Sequence, residues 1–315
     1  MSFTWARVRR DLLRALITGG GGQLGVECLI RAPPDWSVSA LSRAELDIAD
    51  AGAVDCAVAR LRPDLIINAA AYTAVDRAET EADAAFRVNR DGPGILAAAA
   101  ATSGARLVTV STDFVFDGKS GHAYAPGDPP APLGVYGSSK LAGETAARAA
   151  LPDVLIVRTA WVYASHGSNF LNTMLRLMAS KGKVSVVADQ IGTPTSAASL
   201  ADALWSLAAR RASGLHHFTN AGVASWYDFA VAIAEDGLSF GLLNEAPRVS
   251  PIITADYPTA AHRPACGVLD KTETWAVLGA PAVHWRVALR EVLLEIARSG
   301  AAAALRDPVS SVNIA

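Results

Sequence analysis

Cysteine and long apolar runs are scarce in this sequence of 315 residues. The three cysteines, at positions 28, 56 and 266, form no Cys-x-x-Cys pair, which excludes a disulfide framework and fits a reducing compartment. The longest purely apolar run, residues 94–101, is too short to cross a bilayer. No apolar segment precedes Leu12, so no signal peptide is expected. We therefore expect a cytoplasmic protein without a membrane partner.

The sequence also lacks an excess of charge of either sign. Its 28 basic and 30 acidic residues give a net charge of −2. Nucleic-acid-binding domains are usually basic, so no nucleic-acid partner is expected. Apolar residues make up 51% of the chain, which excludes extensive disorder and is enough for one large domain or two modest ones.

Short apolar runs alternate with helical patterns in the first half of the chain. Strands are predicted over residues 14–18, 37–41, 64–68, 106–111 and 154–158. Helices are predicted over residues 23–31, 51–61, 79–101 with a break at 92–94, and 135–150. This alternation is typical of βαβ units. With right-handed crossovers they build an α/β fold, a Rossmann-type doubly wound parallel sheet.

The regular pattern weakens after residue 160, where a smaller C-terminal substrate-binding lobe is expected. We predict a dinucleotide-binding domain over residues 14–165, with later segments, about 184–220, returning to the sheet. The lobe occupies mainly residues 166–300, with helices over 169–180, 197–209, 226–236 and 286–298. Residues 1–13 and 301–315 are predicted to be flexible ends.

A glycine cluster at residues 18–25 (TGGGGQLG) joins the first predicted strand to the first predicted helix. Gly20, Gly22 and Gly25 fit G-x-G-x-x-G, whereas Gly19, Gly22 and Gly25 fit G-x-x-G-x-x-G. Backbone N–H groups at such a helix start bind the pyrophosphate of a dinucleotide. The cluster contains no lysine, unlike a P-loop. The alternative is a glycine-rich turn without a ligand.

The end of the second predicted strand bears on the choice of cofactor. No acidic residue closes this strand to bind the ribose of NAD, and Arg43 follows it. An arginine there can bind the 2′-phosphate of NADP, although an ordinary surface arginine is the alternative. Asp47 and Ile48, slightly later, can border the adenine pocket. NADPH is therefore the expected cofactor, with NADH as the second choice.

Tyr136 and Lys140 lie one helical turn apart on the same face of a predicted helix. A free phenol has a pKa near ~10, which a neighbouring ammonium lowers toward the working range of an acid–base group. Thr112 ends the fourth strand at the sheet edge where ligands bind, so its hydroxyl can bond the same carbonyl oxygen as Tyr136. The alternatives are a solvated helix pair and a turn hydroxyl.

Together these residues resemble the extended short-chain dehydrogenase/reductase family, and within it the dTDP-4-dehydrorhamnose reductases. The resemblance runs from about residue 16 to residue 298. Besides the glycine loop, the matching segments are 68–76 (NAAAYTAVD), 110–116 (VSTDFVF), 135–144 (VYGSSKLAGE), 158–163 (RTAWVY), 169–170 (NF), 189–195 (DQIGTPT) and 263–264 (RP). In combination these segments are far more specific than the glycine loop alone.

The resemblance implies a role for each matching residue. The catalytic residues are Tyr136 as proton donor, Lys140 as its partner and ribose ligand, and Thr112. The implied cofactor contacts are Gly19, Gly22, Gln23, Leu24, Gly25, Arg43, Asp47, Ile48, Ala71, Tyr72 and Thr73. The implied substrate contacts are Thr112, Asp113, Trp161, Asn169 and Arg263. Trp161 offers a flat apolar face for a sugar or base. The guanidinium of Arg263 offers a forked pair of N–H donors for a diphosphate. The alternatives are a core tryptophan and a surface arginine.

The implied activity is the last step of dTDP-L-rhamnose synthesis for cell-surface polysaccharide. NAD(P)H reduces the 4-keto group of dTDP-4-dehydro-β-L-rhamnose, a small sugar-nucleotide substrate, and the enzyme is a monomer or homodimer. Two alternatives stay open. One is another sugar-nucleotide epimerase, dehydratase or reductase on the same fold. The other is a non-catalytic NADP-binding subunit resembling the regulatory β subunit of methionine adenosyltransferase.

The sequence departs from the family pattern at three places. Phe114 stands where the family often has tyrosine, and residues 265–267 (ACG) replace the usual Asn-Ser after Arg263-Pro264. Some members pair through a magnesium ion held by glutamates. Glu27 and Glu295 match two of these positions, but Ala198 falls on a third, so we predict no metal.

Overall fold

The computed structural model describes residues 12–299, and its centre is a six-stranded parallel sheet. The strands in chain order are β1 (Leu13–Thr18), β2 (Trp36–Leu41), β3 (Leu65–Asn68), β4 (Arg106–Thr112), β5 (Leu155–Thr159), β6 (Val162–Tyr163), β7 (Lys183–Val187), β8 (Ile191–Gly192), β9 (Thr195–Ser196), β10 (Gly214–His217), β11 (Ala224–Ser225) and β12 (Arg248–Ile252). The central order is β10-β5-β4-β3-β1-β2. The chain leaves β1 toward β2 and then crosses to β3 on the other side. The predicted Rossmann-type fold is confirmed.

Helices connect the strands and build the lobe. They are α1 (Gln23–Ile30), α2 (Ala51–Leu61), α3 (Val75–Ala78), α4 (Ala82–Phe86), α5 (Gly92–Ser103), α6 (Val135–Ala150), α7 (Phe170–Lys181), α8 (Ala197–Ala209), α9 (Trp226–Ser239), α10 (Thr272–Leu278) and α11 (Trp285–Arg298). Helix α2 shows how local sequence sets the bounds. The Asp50 carboxylate accepts a bond from Ala53 N–H at its start, and Arg62 ends it in the left-handed region with φ 46°.

The sheet is covered on both faces, as a parallel sheet requires. Alternate side chains of each strand point to opposite sides. Ile17 and Ile67 pack in one apolar cluster with residues of α1 and α8. Leu16 and Ile66 pack in another cluster with residues of α2, α5 and α6. These two cores fix the strands, and therefore the positions of the residues that follow their carboxyl ends.

A third apolar cluster forms the lobe, where α7, α9 and α11 pack around the buried ring of Phe229. Strands β7 and β12 pair in parallel beside these helices. The chain also returns to the central sheet, because β10 pairs with β5 at its edge. The division into two domains with the stated boundaries stays a prediction.

The predicted break at residues 92–94 is wrong. Helix α4 passes through a π-helical turn, Arg87–Asp91, directly into α5. Pro93 follows directly after this π turn and does not interrupt the helical run. The π turn carries Asn89, whose side chain accepts from Tyr72 N–H at 2.8 Å and donates to Tyr72 O at 3.0 Å. Through Asn89, the π-helical turn therefore holds the loop that follows β3 in place.

The predicted flexible ends fall largely outside the described residues. Residues 1–11 and 301–315 are not described, and Leu13 already begins β1. Among the helices formed by residues 12–299, none has the length and apolar character needed to cross a membrane.

Candidate active site

A cleft of about 900 Å³ opens at the carboxyl ends of the central strands and extends along the lobe. Ligands of open α/β sheets bind at this edge. The predicted site residues that line it are Gly22, Gln23, Leu24, Ala71, Thr73, Thr112, Asp113, Tyr136, Lys140, Trp161, Asn169 and Arg263. The predicted residues outside its lining are Gly19, Gly25, Arg43, Asp47, Ile48 and Tyr72. The structure thus brings the predicted catalytic and substrate residues together in one cleft.

The glycine loop is shaped by backbone contacts that leave no room for side chains at Gly19, Gly20 and Gly25. Gly19 lies in the left-handed region with φ 72°. A Cβ atom on Gly25 would lie 2.2 Å from the Gly19 carbonyl oxygen, so α1 packs directly on the loop. Gly22 precedes α1 and gives it no side-chain cap. The first N–H groups of α1 are therefore suited to bind an anion.

The predicted adenosine contacts lie beside this loop. Arg43 is exposed after β2, and the side chain of Ser42 is the nearest neighbour of a Cβ built on Gly21, at 3.7 Å. Asp47 accepts a bond from Arg87 at 2.6 Å. Ile48 is buried at 2% exposure. Arg43 is thus a cation next to the glycine loop, whereas Asp47 already has a charged partner.

Thr112, Tyr136 and Lys140 meet on the floor of the cleft. Thr112 ends β4, and Tyr136 lies in the first turn of α6; both side chains line the cleft. The ring of Phe114 packs edge-on against the Tyr136 ring, with centroids 5.4 Å apart. The Lys140 ammonium donates to Val110 O at 2.7 Å. The phenol and the threonine hydroxyl thus lie in the same cleft, with the lysine held one turn deeper.

Burial sets the acid–base character of these groups. Burial raises the pKa of Tyr136 to about 12, the nearby Thr112 hydroxyl opposes this, and the negative charge of Asp113 adds to it. Burial also lowers the pKa of Lys140 to about 8, opposed by Glu144. The prediction that Lys140 lowers the phenol pKa is wrong in this arrangement, because desolvation dominates. Tyr136 therefore keeps its proton at neutral pH and can act as a donor.

A buried ion pair below Lys140 escaped the sequence analysis. Glu144 binds Arg158 through two contacts of 2.8 and 2.7 Å and also accepts from Ser111 at 2.6 Å. The Glu144 and Arg158 side chains are only 5% and 3% exposed. The pair joins α6 to β4 and β5 directly under the catalytic residues. Its only local signal is a glutamate one turn after Lys140.

A stack of aromatic rings forms the substrate side of the cleft. The rings of Trp161 and Trp226 lie parallel, with centroids 3.6 Å apart and an interplanar angle of 7°. Trp161 has a left-handed backbone with φ 49°, and a Cβ on Gly192 would lie 2.6 Å from its ring. Trp226, which the sequence analysis missed, therefore holds Trp161 against Gly192.

Asn169 and Arg263 both have protein partners. Asn169 caps α7 by accepting from Asn172 N–H at 2.9 Å, and its amide donates to Gln23 of the glycine loop at 2.8 Å. Arg263 forms two bonds to the carboxylate of Asp76, of 3.2 and 2.7 Å. Each side chain thus ties the lobe to the cofactor side of the cleft, while lining the cleft as predicted for a substrate contact.

The two glutamates at the family's magnesium positions have other partners. Glu27 lies 3.1 Å from the His166 ring nitrogen, and Glu295 accepts from Ser165 at 2.8 Å. Within residues 12–299 no group of three or more histidine, cysteine or acidic side chains is arranged to hold a metal ion. Glu27 and Glu295 thus each have a partner within the chain, and the absence of a metal stays a prediction.

Comparison with known proteins decides the family. A family model described as the RmlD substrate binding domain matches residues 13–298. The chain belongs to this family. The dTDP-4-dehydrorhamnose reductase of Aggregatibacter actinomycetemcomitans is 41% identical to this RmlD-family chain over 289 residues, covering 89% of this chain and 98% of the relative. The resemblance inferred from the sequence motifs is confirmed.

Two further members of the RmlD family are informative. The dTDP-4-dehydrorhamnose reductase of Bacillus anthracis, solved in complex with NADP, superposes with a TM-score of 0.85 at 36% identity, over 90% of this chain and 99% of that one. A Streptomyces antibioticus relative is named a probable dTDP-4,6-dihydroxy-2-methyloxan-3-one 4-ketoreductase. It is 42% identical over 296 residues, 90% of this chain and 96% of its own. The names of these relatives thus cover more than one dTDP-linked ketosugar.

Proposed function

We propose that this protein reduces the 4-keto group of dTDP-4-dehydro-β-L-rhamnose with NADPH, which is the last step of dTDP-L-rhamnose synthesis. The observation that carries the proposal is that Thr112, Tyr136 and Lys140 line one cleft, which begins at a dinucleotide-type glycine loop. Relatives named for this activity share about two fifths of the sequence over nearly the whole chain.

The cleft residues fit a dinucleotide. Gly22, Gln23 and Leu24 line the cleft at the uncapped start of α1 and would hold the pyrophosphate. Arg43 would meet the 2′-phosphate, which favours NADPH over NADH. Lys140 would bind the ribose. When bound, the nicotinamide supplies the hydride.

The protein residues supply the proton and the geometry. Tyr136 donates to the ketone oxygen and transfers its proton as that oxygen becomes an alkoxide, while Thr112 helps to orient the oxygen. The buried environment that raises the phenol pKa keeps this proton in place until the alkoxide forms. Trp161, Asn169 and Arg263 on the lobe side would hold the sugar nucleotide.

The test is NADPH oxidation followed at 340 nm with enzymatically prepared dTDP-4-dehydro-L-rhamnose, with NADH in a parallel cuvette. Tyr136→Phe removes the phenolic hydroxyl and keeps the ring, and we expect turnover to fall by roughly 10²–10⁴-fold, the range for a lost general acid. NADPH binding, measured by fluorescence, should be unchanged in this variant. Near-normal turnover in Tyr136→Phe would overturn the assignment of the acid.

A second candidate substrate is a different dTDP-linked ketosugar, which the Streptomyces antibioticus relative favours. Oxidation of NADPH with that sugar but not with the rhamnose precursor would select it. NADPH binding without oxidation of any sugar nucleotide would favour a regulatory subunit. We further propose that the protein is cytoplasmic and that it is a monomer or a homodimer. Light scattering would distinguish the monomer from the homodimer.

A further inference from the structure

The catalytic tyrosine lies at the very start of a helix. Helix α6 begins at Val135, and Tyr136 is its second residue. The first N–H groups of a helix have no partner within the helix, so helix ends fray more readily than helix centres. Gly134 precedes α6 and has no side chain that could cap it. The position of Tyr136 therefore depends on what holds the start of α6 from outside the helix.

A carboxylate from a distant segment holds this helix start. Glu79, which follows α3 directly, accepts a hydrogen bond from Val135 N–H through its Oε1 atom at 2.8 Å. The partial positive charge of a helix N-terminus favours a carboxylate there. A Cβ on Gly134 would lie 2.5 Å from the same Oε1 atom, so the glycine leaves room for the carboxylate. Glu79 is partly buried and lies outside the residues that line the cleft. It thus caps α6 without reaching the substrate.

The segment that carries Glu79 is itself anchored. Asp76, in α3, accepts a bond from Arg263 at 2.7 Å and from Ala261 N–H at 2.9 Å. Ala78, directly before Glu79, is completely buried. Helix α3 is therefore tied to the substrate side of the cleft through Asp76 and to the start of α6 through Glu79. This anchoring gives the Glu79 carboxylate a fixed place from which it can hold another element.

The start of α6 packs closely on the end of β4. A Cβ on Gly137 would lie 2.1 Å from Phe114 O, so the first turn of α6 lies directly on the segment that follows Thr112. A shift of this turn would therefore move Tyr136 relative to Thr112. A misplacement of about 1 Å at a reacting group can lower a rate by roughly 100-fold.

We propose that Glu79 is a positioning residue for the reduction. By holding Val135 N–H, it keeps the Tyr136 hydroxyl in place relative to Thr112 and to the ketone of the substrate. Glu79 acts through the helix and exchanges no proton with the substrate. The inference rests on the proposed reductase function and adds a residue outside the cleft on which turnover depends.

Substitution of Glu79 separates this role from general stability. In Glu79→Ala we expect kcat to fall by roughly 10–100-fold, because the start of α6 loses its cap. The KM for the sugar nucleotide and the NADPH affinity should stay within about twofold of wild type. Glu79→Gln keeps a side-chain oxygen that can accept from Val135 N–H, so its kcat should stay within about threefold of wild type. Asp83→Ala on the exposed side of α4 is the matched control and should leave kcat unchanged.

Gly134 allows the carboxylate to be displaced without changing Glu79. Gly134→Ala should lower kcat by at least about fivefold in the wild-type chain, because its Cβ would push on the Glu79 carboxylate. In the Glu79→Ala background the same change should cause no further loss, since no carboxylate is left to displace. Gly127→Ala, whose Cβ would meet open space, is the control for the added methyl group. Losses that multiply in the double variant would overturn the proposal.

Hydrogen exchange tests the cap without any turnover. A peptide covering residues 133–139 should exchange faster in Glu79→Ala than in wild type or Glu79→Gln. Unchanged exchange, an unchanged kcat in Glu79→Ala, or a loss of NADPH affinity as large as the loss in kcat would each overturn the proposal. A wild-type protein that reduces no sugar nucleotide would instead overturn the reductase function, and the exchange measurement would still decide whether Glu79 holds the helix start.

Discussion

The contact between Gly25 and the glycine loop gives the sharpest prediction about cofactor binding. A Cβ at position 25 would lie 2.2 Å from Gly19 O and 2.8 Å from both Gly19 C and Gly20 Cα. All three are backbone atoms that no rotamer change can move aside. Gly25→Ala must therefore push α1 from the loop by about 1 Å, and overpacking of this kind costs typically ~1–3 kcal/mol. For a chain of this size we expect Tm to fall by roughly 3–10 °C.

The displacement should also spoil the phosphate site, because the N–H groups of α1 move with the helix. We expect NADPH affinity, measured by fluorescence titration, to fall at least tenfold in Gly25→Ala. Gly21→Ala is the matched control: its Cβ has its nearest neighbour at 3.7 Å, which is ordinary contact, so Tm should stay within about 1 °C of wild type. Wild-type Tm and wild-type NADPH affinity in Gly25→Ala would refute the reasoning.

Two other buried groups give predictions about stability. Glu144→Gln leaves the Arg158 charge without its carboxylate, which costs roughly 3–5 kcal/mol at a buried pair. Thermal unfolding should show Tm about 10 °C lower, with a smaller loss in the paired variant E144Q/R158M, and an unchanged Tm would contradict this. Burial, aided by Arg158, lowers the pKa of His217 from 6.5 to about 3, so the folded protein favours the neutral ring. The stabilisation is complete above pH 6.5 and is lost as pH falls toward 3, by up to ~1.4 kcal/mol per pH unit. Urea unfolding at pH 7, 6 and 5 should show a shallower loss for His217→Gln than for wild type.

The sequence predicted best what local patterns determine. Helix α2 is found at its predicted bounds because Asp50 caps its start and Pro63 follows its end. The first five strands of the central sheet lie within about one residue of their predicted bounds, since buried parallel strands read as short apolar runs, whereas β10 was not predicted as a strand. Tyr136 and Lys140 could be paired because one helical turn separates them. Thr112 could be added because parallel strands end at a common edge.

Contacts between distant segments had no comparable signal. Trp226 lies 65 residues after Trp161, and nothing in either neighbourhood shows that the two rings stack. The π-helical turn depends on Asn89 bonding to the loop that follows β3, a tertiary contact. The shift of the Tyr136 pKa was predicted in the wrong direction because burial depends on the whole fold, whereas the nearby lysine is visible in the sequence.

Arg263 shows how a role predicted from residue type changes once its partners are known. Although burial of Asp76 opposes it, the bond from Arg263 holds the Asp76 pKa below its ordinary value, so the pair is charged. Asp76 also accepts from Ala261 N–H at 2.9 Å, and Thr259 accepts from Arg263 at 2.6 Å. The guanidinium therefore fastens residues 259–263 to the start of α3. A diphosphate that bound Arg263 would compete with Asp76 for the same donors, so substrate binding and the anchoring of this segment beside the cleft depend on one side chain.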